Sequence, residues 1–378
     1  MDQRRISMAD ITVGQALPWD VYDVNNKLLL RKGTIVQRDQ QIEKLVERGL
    51  FVDAKSSSSR AEHRPVKQEE KPSVLRFLNL ANKRLERLLF NLQAEAGVQA
   101  KIVEVATVIQ YAIDINSDIA LACILLNQSA GSYVVRHCVD TAVTAMLIAR
   151  SLNKPAPEQM SITAAALTMN VGMLRYQDQL QARLDALTDA EMDVIRSHPQ
   201  NSVNQLSQAG VEDKDWLSYV LLHHENEDGS GYPLRRAGGE IPQNAKIIAI
   251  ADRYCARVSS RTYRKSLLPN AALRDILLSE KKNIDPQLAA VFLRELGVYP
   301  TGTFVRLENG EIAVVTGKGG SITTPFVHAF IGPRGAPLSF PIKRDTSKSL
   351  HAIRDVLHGD QAILRFSLQQ IWGDEASL

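Results

Sequence analysis

Leu221-Leu222-His223-His224-Glu225-Asn226-Glu227-Asp228-Gly229-Ser230-Gly231-Tyr232-Pro233 closes an apolar run with two adjacent histidines, an acid and a glycine-rich turn. Tandem imidazoles offer metal-ligand nitrogens, and Gly229 and Gly231 let the backbone approach its surroundings closely. Pro233 fixes its own φ and biases Tyr232 toward an extended conformation, so the turn is expected to be shaped. The plainer reading is a helix end carrying two surface histidines.

Outward from this stretch the periodicity is helical. Trp216 to His224 and Asn244 to Val258 flank it, and Val74, Leu75, Leu78, Ala81, Leu85, Leu88, Leu89 and Leu92 recur at i, i+3 and i+4 behind a Ser73 cap. That first helix suits core packing or, alternatively, a homodimer contact. Helical spacing continues through Ile102–Ala112, Ile119–Asn127, Tyr133–Leu152 and Ser161–Met173. Thr188 with Glu191 forms a capping box for a helix reaching Ala209, and Asn270–Ser279 and Asp285–Leu296 complete the set. The expectation is a mainly α chain: a small α+β accessory domain over 1–54, a flexible linker over 55–73, a helical domain over 74–300 and a β-rich appendage over 301–378.

The flanks read differently. Trp19–Val24 and Lys27–Leu30 predict strands around Asn25-Asn26, Gln40–Gly49 a helix and Leu50–Val52 a strand. Lys55 to Pro72, with four consecutive serines and mixed charge, has too little apolar surface to offset its ordering entropy. After Pro300, Thr303–Leu307, Glu311–Thr316, Phe326–Ile331 and Leu338–Ile342 predict strands of a barrel-like unit, and Leu350–Leu357 a short helix. His328, His351 and His358 lack partners at ligand spacing and are expected to carry no chemistry.

Composition narrows the function classes. Across 378 residues, 44% hydrophobic and 23% charged is the balance of a globular protein, and a net charge of +3 is too small to argue for a nucleic-acid polymer as partner. Three scattered cysteines, with no Cys-x-x-Cys pair, speak against a disulfide framework and against a structural zinc site. No apolar run approaches the ~18 residues that span a bilayer, and the start lacks the apolar core of a signal peptide, so no membrane insertion and a cytoplasmic setting are expected.

The quoted stretch resembles the His-His-Glu-x-x-Asp-Gly-x-Gly-Tyr-Pro signature of the HD-GYP family, bacterial metal-dependent phosphodiesterases of cyclic di-GMP, and the resemblance covers roughly Asn127 to Gly297. It implies a helical fold of the HD superfamily. Metal ligands are implied at His137, at His198 of His198-Pro199, at His223 and His224, and at Asp252. The family's name-giving pair departs. Where members read His-Asp-x-Gly-Lys, this chain reads Met169-Asn170-Val171-Gly172-Met173. Methionine is a soft, weak ligand for hard or borderline ions, neutral asparagine cannot bridge two cations, and Met173 removes a phosphate-facing charge. Tyr133 stands where some active members have a further glutamate, which argues against a third ion.

On the substrate side, Arg261 and Arg264 fall on the family's basic Arg-Pro-Tyr-Arg/Lys stretch and are the candidate phosphate contacts. A solvated basic turn is the plain alternative. Glu225 and Asp228 are expected to orient the histidines and cap the turn. The loop with Asp228, Gly229, Gly231, Tyr232 and Pro233 resembles one proposed in the family to meet diguanylate cyclase domains. Tyr232 is expected as its anchor, beside the basic pair Arg235-Arg236. The expectation is a non-catalytic signalling module that senses nucleotide or binds a protein partner, holding one divalent ion (Fe, Mn or Zn) at partial occupancy or none. The rival is a residually active phosphodiesterase.

Overall fold

The computed structural model describes residues 3–5, 11, 14–17, 19–25, 27–36, 51–53, 71–127, 131–180, 188–259, 266–359 and 367–378. The chain divides into two compact units, 1–70 and 71–378.

In the first unit, β1 (Gln3–Arg5), β2 (Val21–Tyr22), β3 (Leu28–Leu30) and β4 (Phe51–Asp53) form an antiparallel sheet in the order β1-β4-β2-β3. The Asp23 carboxylate accepts the amides of Asn25 and Lys27, which tightens the turn between β2 and β3. Leu17, Trp19, Val21 and Val36 fill its core. The expected helix Gln40–Gly49 and the serine-rich stretch from Lys55 to 70 lie outside the described residues.

The second unit opens with α1 (Val74–Phe90), capped by Ser73, and its apolar stripe is buried in the main core, as the packing alternative requires. It packs on α2 (Val98–Ile115), and α3 (Ser117–Leu126) follows. The central helix is α4 (Tyr133–Ser151), in which every residue from Tyr133 to Met146 is buried. A helix buried on all sides places even its polar residues, Arg136, His137 and Asp140, inside the protein. Around it stand α5 (Ala156–Thr168), α6 (Leu174–Leu180), α7 (Asp189–Gln208, with the Thr188–Glu191 capping box), α8 (Lys214–Leu222), α9 (Gln243–Val258), α10 (Pro269–Arg274) and α11 (Pro286–Leu296).

Two helices stop short of their periodicity. Ser161–Met173 was expected as one run, but α5 ends at Thr168 and Val171–Met173 is a 3-10 turn. The reason is Gly172: a Cβ there would sit 2.6 Å from both the His198 carbonyl oxygen and the Ser202 amide. The Ser202 hydroxyl holds the turn, donating to Met169 O at 2.8 Å and accepting from Gly172 N at 2.9 Å. Asn270–Ser279 likewise splits into α10 and a π-helical turn, Asp275–Ser279.

The appendage is an antiparallel sheet in the order β8-β7-β6-β5-β9, from β5 (Phe304–Leu307), β6 (Ile312–Gly317), β7 (Phe326–Ile331), β8 (Pro337–Asp345) and β9 (Ile353–Leu357). With β8 and β9 at opposite edges it is open among the described residues, not barrel-like. The expected helix Leu350–Leu357 is corrected too: the edge of β5 pairs with Ile353–Leu357, and ladder hydrogen bonds override the weak local preference. The sheet packs on the helices through Leu126, Phe330, Ile371 and Trp372, the last two near and at the end of α12 (Leu368–Trp372). Cys123, Cys138 and Cys255 are buried and unpaired. Among the described residues no single helix is long and apolar enough to cross a membrane.

Candidate metal centre

His198 lies inside α7, and its neighbour explains its orientation. Pro199 has no N–H, so the Ile195 carbonyl, four residues back, loses its helical donor. The His198 Nδ1–H takes that place at 2.5 Å. His223 does the same at the end of α8, where the last-turn carbonyls have no helical donor, and its Nδ1–H donates to Val220 O at 2.7 Å. A carbonyl can only accept, so both rings carry their proton on Nδ1 and leave Nε2 bare. The two Nε2 atoms are 3.3 Å apart.

His224 joins them, and ligand nitrogens of all three rings lie within 4.8 Å of one another. His198 and His223 are fully buried and His224 is half-buried. Burial, then the neighbouring His223, pulls the His198 pKa down to about 3. Burial likewise lowers His223, and burial together with the adjacent imidazoles lowers His224 well below the ordinary value. Three neutral imidazoles with converging lone pairs form a donor set suited to one borderline divalent ion such as Zn, Fe or Mn, and the backbone carbonyls fix the ring tautomers as ligand histidines require.

The loop after His224 is built around close approaches. At Gly231 a Cβ would lie 2.5 Å from Glu225 Cα, 2.6 Å from His224 O and closer still to Asn226 N, so no side chain fits. This brings Tyr232 N onto His224 O at 3.2 Å. The Tyr232 ring packs at 4.7 Å on His224 and meets His198 edge-on at 6.3 Å, and the Tyr232–Pro233 peptide is cis. Tyr232, expected as the loop's anchor, is therefore a wall of the histidine cluster, and Asp228, Ser230, Leu234, Arg235 and Arg236 are the loop's exposed residues. Buried Glu225 accepts the amides of Leu234 at 2.6 Å and Arg236 at 3.0 Å. It fixes the returning loop, not the histidines. Asp228 does cap the turn, accepting Ser230 N and Oγ at 2.9 and 2.6 Å.

His137 and Asp252 meet each other. His137 Nε2 is 2.7 Å from Asp252 Oδ1, both residues being buried. The Asp252 hydrogen-bond partner is thus His137. Burial alone would raise the Asp252 carboxyl, but the hydrogen bond and charge of His137 hold it below the usual carboxylate range. His137 stacks on Tyr133 at 5.8 Å, and its Nδ1 is buried without a partner. Met169 and Asn170 are both buried, and Asn170 Oδ1 is likewise unpartnered. Half-buried Met173 lines a groove with Phe90, Leu92 and Tyr176. Neither Met169 nor Asn170 supplies the charge that a bridge between two ions needs, so the residues present fit one ion and not a carboxylate-bridged pair.

Arg261 and Arg264 lie outside the described residues. Two arginines that the sequence reading passed over are held by protein groups: Arg257 pairs with Asp275 at 2.7 Å and with Glu280, and Arg253 donates to Asn226. Their i, i+4 spacing just after Asp252 was the available signal.

A helical core built around α4, with histidines delivered by α7 and α8 and an acid by α9, is the architecture of an HD-domain protein, and residues 119–288 match the HD domain family model. Over 216 residues the chain is 32% identical to a cyclic di-GMP phosphodiesterase of Pseudomonas aeruginosa, covering 57% of this chain and 52% of that protein. It is also 32% identical over 155 residues to the cyclic di-GMP phosphodiesterase response regulator RpfG of Xanthomonas campestris pv. campestris, covering 39% of each. The fold resembles that of an HDG"Y"P protein from Bdellovibrio bacteriovorus, with a TM-score of 0.51 at 14% identity over 77% of this chain and 98% of that one. Through residues 119–288 the chain is similar to the HD-GYP-like proteins. It spans about half the length or less of the curated relatives it matches.

Proposed function

We propose that this protein acts in bacterial cyclic di-GMP signalling through a domain that binds one divalent ion and the nucleotide but does not hydrolyse it at an appreciable rate. The observation that carries this reading is the pair of bare Nε2 atoms of His198 and His223 at 3.3 Å, in a domain whose buried Asn170 is uncharged. An ion held by His198, His223 and His224 would supply Lewis acidity toward a phosphate oxygen. The chain's own groups do the rest. Tyr232 screens one side of the cluster from water, Glu225 sets the loop that carries it, and Arg261 and Arg264 are the proposed phosphate contacts. Missing are a bridging carboxylate and a cation at Met173, and each loss is worth about 2.7–4 kcal/mol of transition-state stabilisation by comparison with a deleted oxyanion donor.

The similarity to named phosphodiesterases favours a second reading, residual hydrolysis, with His137 and Asp252 recruited as further ligands. Signalling without turnover calls for a protein partner, and a diguanylate cyclase domain meeting the exposed Leu234-Arg235-Arg236 tip is the proposed one. Calorimetry with cyclic di-GMP, set beside a turnover assay on the same metal-loaded preparation, tests the function. Binding without product supports it; product formation that disappears in His223→Ala establishes the second reading.

A further inference from the structure

Arg253 and Arg257 follow Asp252 on α9, one turn apart and on the same face. Like charges at i and i+4 repel, and an anion between them offsets that repulsion. Glu280 is that anion: one of its oxygens accepts from Arg257 Nη2, and the other lies 3.6 Å from Arg253 Nε. Asp275 takes Arg257 Nε at 2.7 Å. Each arginine side chain is only 15% exposed, against 25% for Glu280 and 41% for Asp275, so solvent screens the Glu280 pairs less than the Asp275 pair.

The guanidinium of Arg253 also reaches the other way. It donates to Asn226 Oδ1, and Asn226 Nδ2 donates to Ser230 Oγ at 2.9 Å, which in turn donates to Asp228. A continuous polar chain thus runs from the helix bearing Asp252 to the turn that seats Tyr232 against His224. The 275–285 segment grips the same loop again: Glu227 N donates to Asn283 O at 3.1 Å, and Lys246 bridges Glu227 at 2.8 Å and Asp285 at 3.8 Å. That segment begins with the π-helical turn Asp275–Ser279, a geometry often found where a helix serves function.

We propose that Arg253 is a positioning residue that fixes the Glu225–Tyr232 loop against α9, with Glu280 as its outer anchor, so that movement of the 275–285 segment regulates how tightly the three histidines hold an ion. The ion-binding consequence rests on the proposed function; the hold on the loop does not.

Hydrogen exchange and Co(II) titration of the full chain test this with Arg253→Met, Arg253→Lys and Glu280→Gln. In Arg253→Met the amides of Tyr232, Leu234 and Arg236 should exchange about tenfold faster or more, those of α2 should be unchanged, and cobalt affinity should fall about 10–100-fold. Glu280→Gln should move both readouts the same way by less. Arg253→Lys, which can reach Asn226 with one donor, should restore part of the loop protection. Unchanged loop exchange in Arg253→Met overturns the proposal, as does an equal loss of protection in α2, which would make Arg253 merely structural. If the wild type binds no cobalt, the ion reading and the regulatory consequence both fail, and the exchange pattern alone then decides whether Arg253 holds the loop.

Discussion

The Nε2 atoms of His198 and His223 face each other at 3.3 Å, each stripped of a proton because its ring has given Nδ1–H to a backbone carbonyl three residues earlier. Two lone pairs pointed at one another in a buried space are repulsive until a cation lies between them. The Pro199 that frees the Ile195 carbonyl is thus part of the site, although it touches no ligand.

The first prediction concerns pH. The folded-state pKa of His198 is depressed to about 3, so below the ordinary value of 6.5 the unfolded chain takes up a proton that the native site refuses. The stability of the metal-free protein should be fully present above about pH 6.5 and fall as the pH drops from there toward 3. The slope is roughly 1.4 kcal/mol per pH unit for this group alone, and steeper if His223 and His224 contribute. Urea unfolding between pH 4.5 and 7.5 measures it. A free energy that stays flat across that range contradicts the buried neutral cluster.

The second concerns Gly172. A Cβ would be 2.6 Å from two backbone atoms of α7, so Gly172→Ala must push the 169–173 turn away from His198 and Ser202. A destabilisation of about 1–3 kcal/mol is expected, in the range of overpacked cores. A midpoint within error of the wild type would show that the turn yields freely.

Much of this was legible from the chain. The His-His-Glu run with its Gly-Tyr-Pro turn pointed to the cluster, and helical spacing over Tyr133–Leu152 pointed to α4 but not to its central place. What escaped the sequence was pairing across space. Nothing local says that His137 chooses Asp252, that Glu225 turns to Leu234 and Arg236, or that Tyr232 folds inward, because each depends on the Gly231 close approach and on how α4 meets α9. Ile353–Leu357 was misread for the same reason: a strand at a sheet edge is decided by its partner, β5.

The third prediction restores what the sequence lacks. Met169→His combined with Asn170→Asp returns an imidazole and a carboxylate to buried positions next to the turn that packs on His198. The double variant should bind a second ion and gain metal-dependent hydrolysis of cyclic di-GMP, visible as linear product by chromatography. A folded double variant that still binds a single ion and releases no product would show that these two positions are not what limits the site.

The fourth follows from Glu225, whose buried carboxylate holds two loop amides. Glu225→Ala leaves both amides without their acceptor, at about 1–3 kcal/mol for each that stays dry. The expected result is faster exchange at Leu234 and Arg236 together with weaker ion binding, read by hydrogen exchange and chelator competition. Unchanged exchange at both amides would refute the role given to this acid.

The central claim is one ion without turnover, and metal content measured alongside cyclic di-GMP hydrolysis on a single preparation tests it most directly. The account predicts no more than one transition-metal ion per chain, lost in His198→Ala and in His223→Ala, with product at the metal-free background. Two ions per chain with turnover abolished by His223→Ala would contradict it.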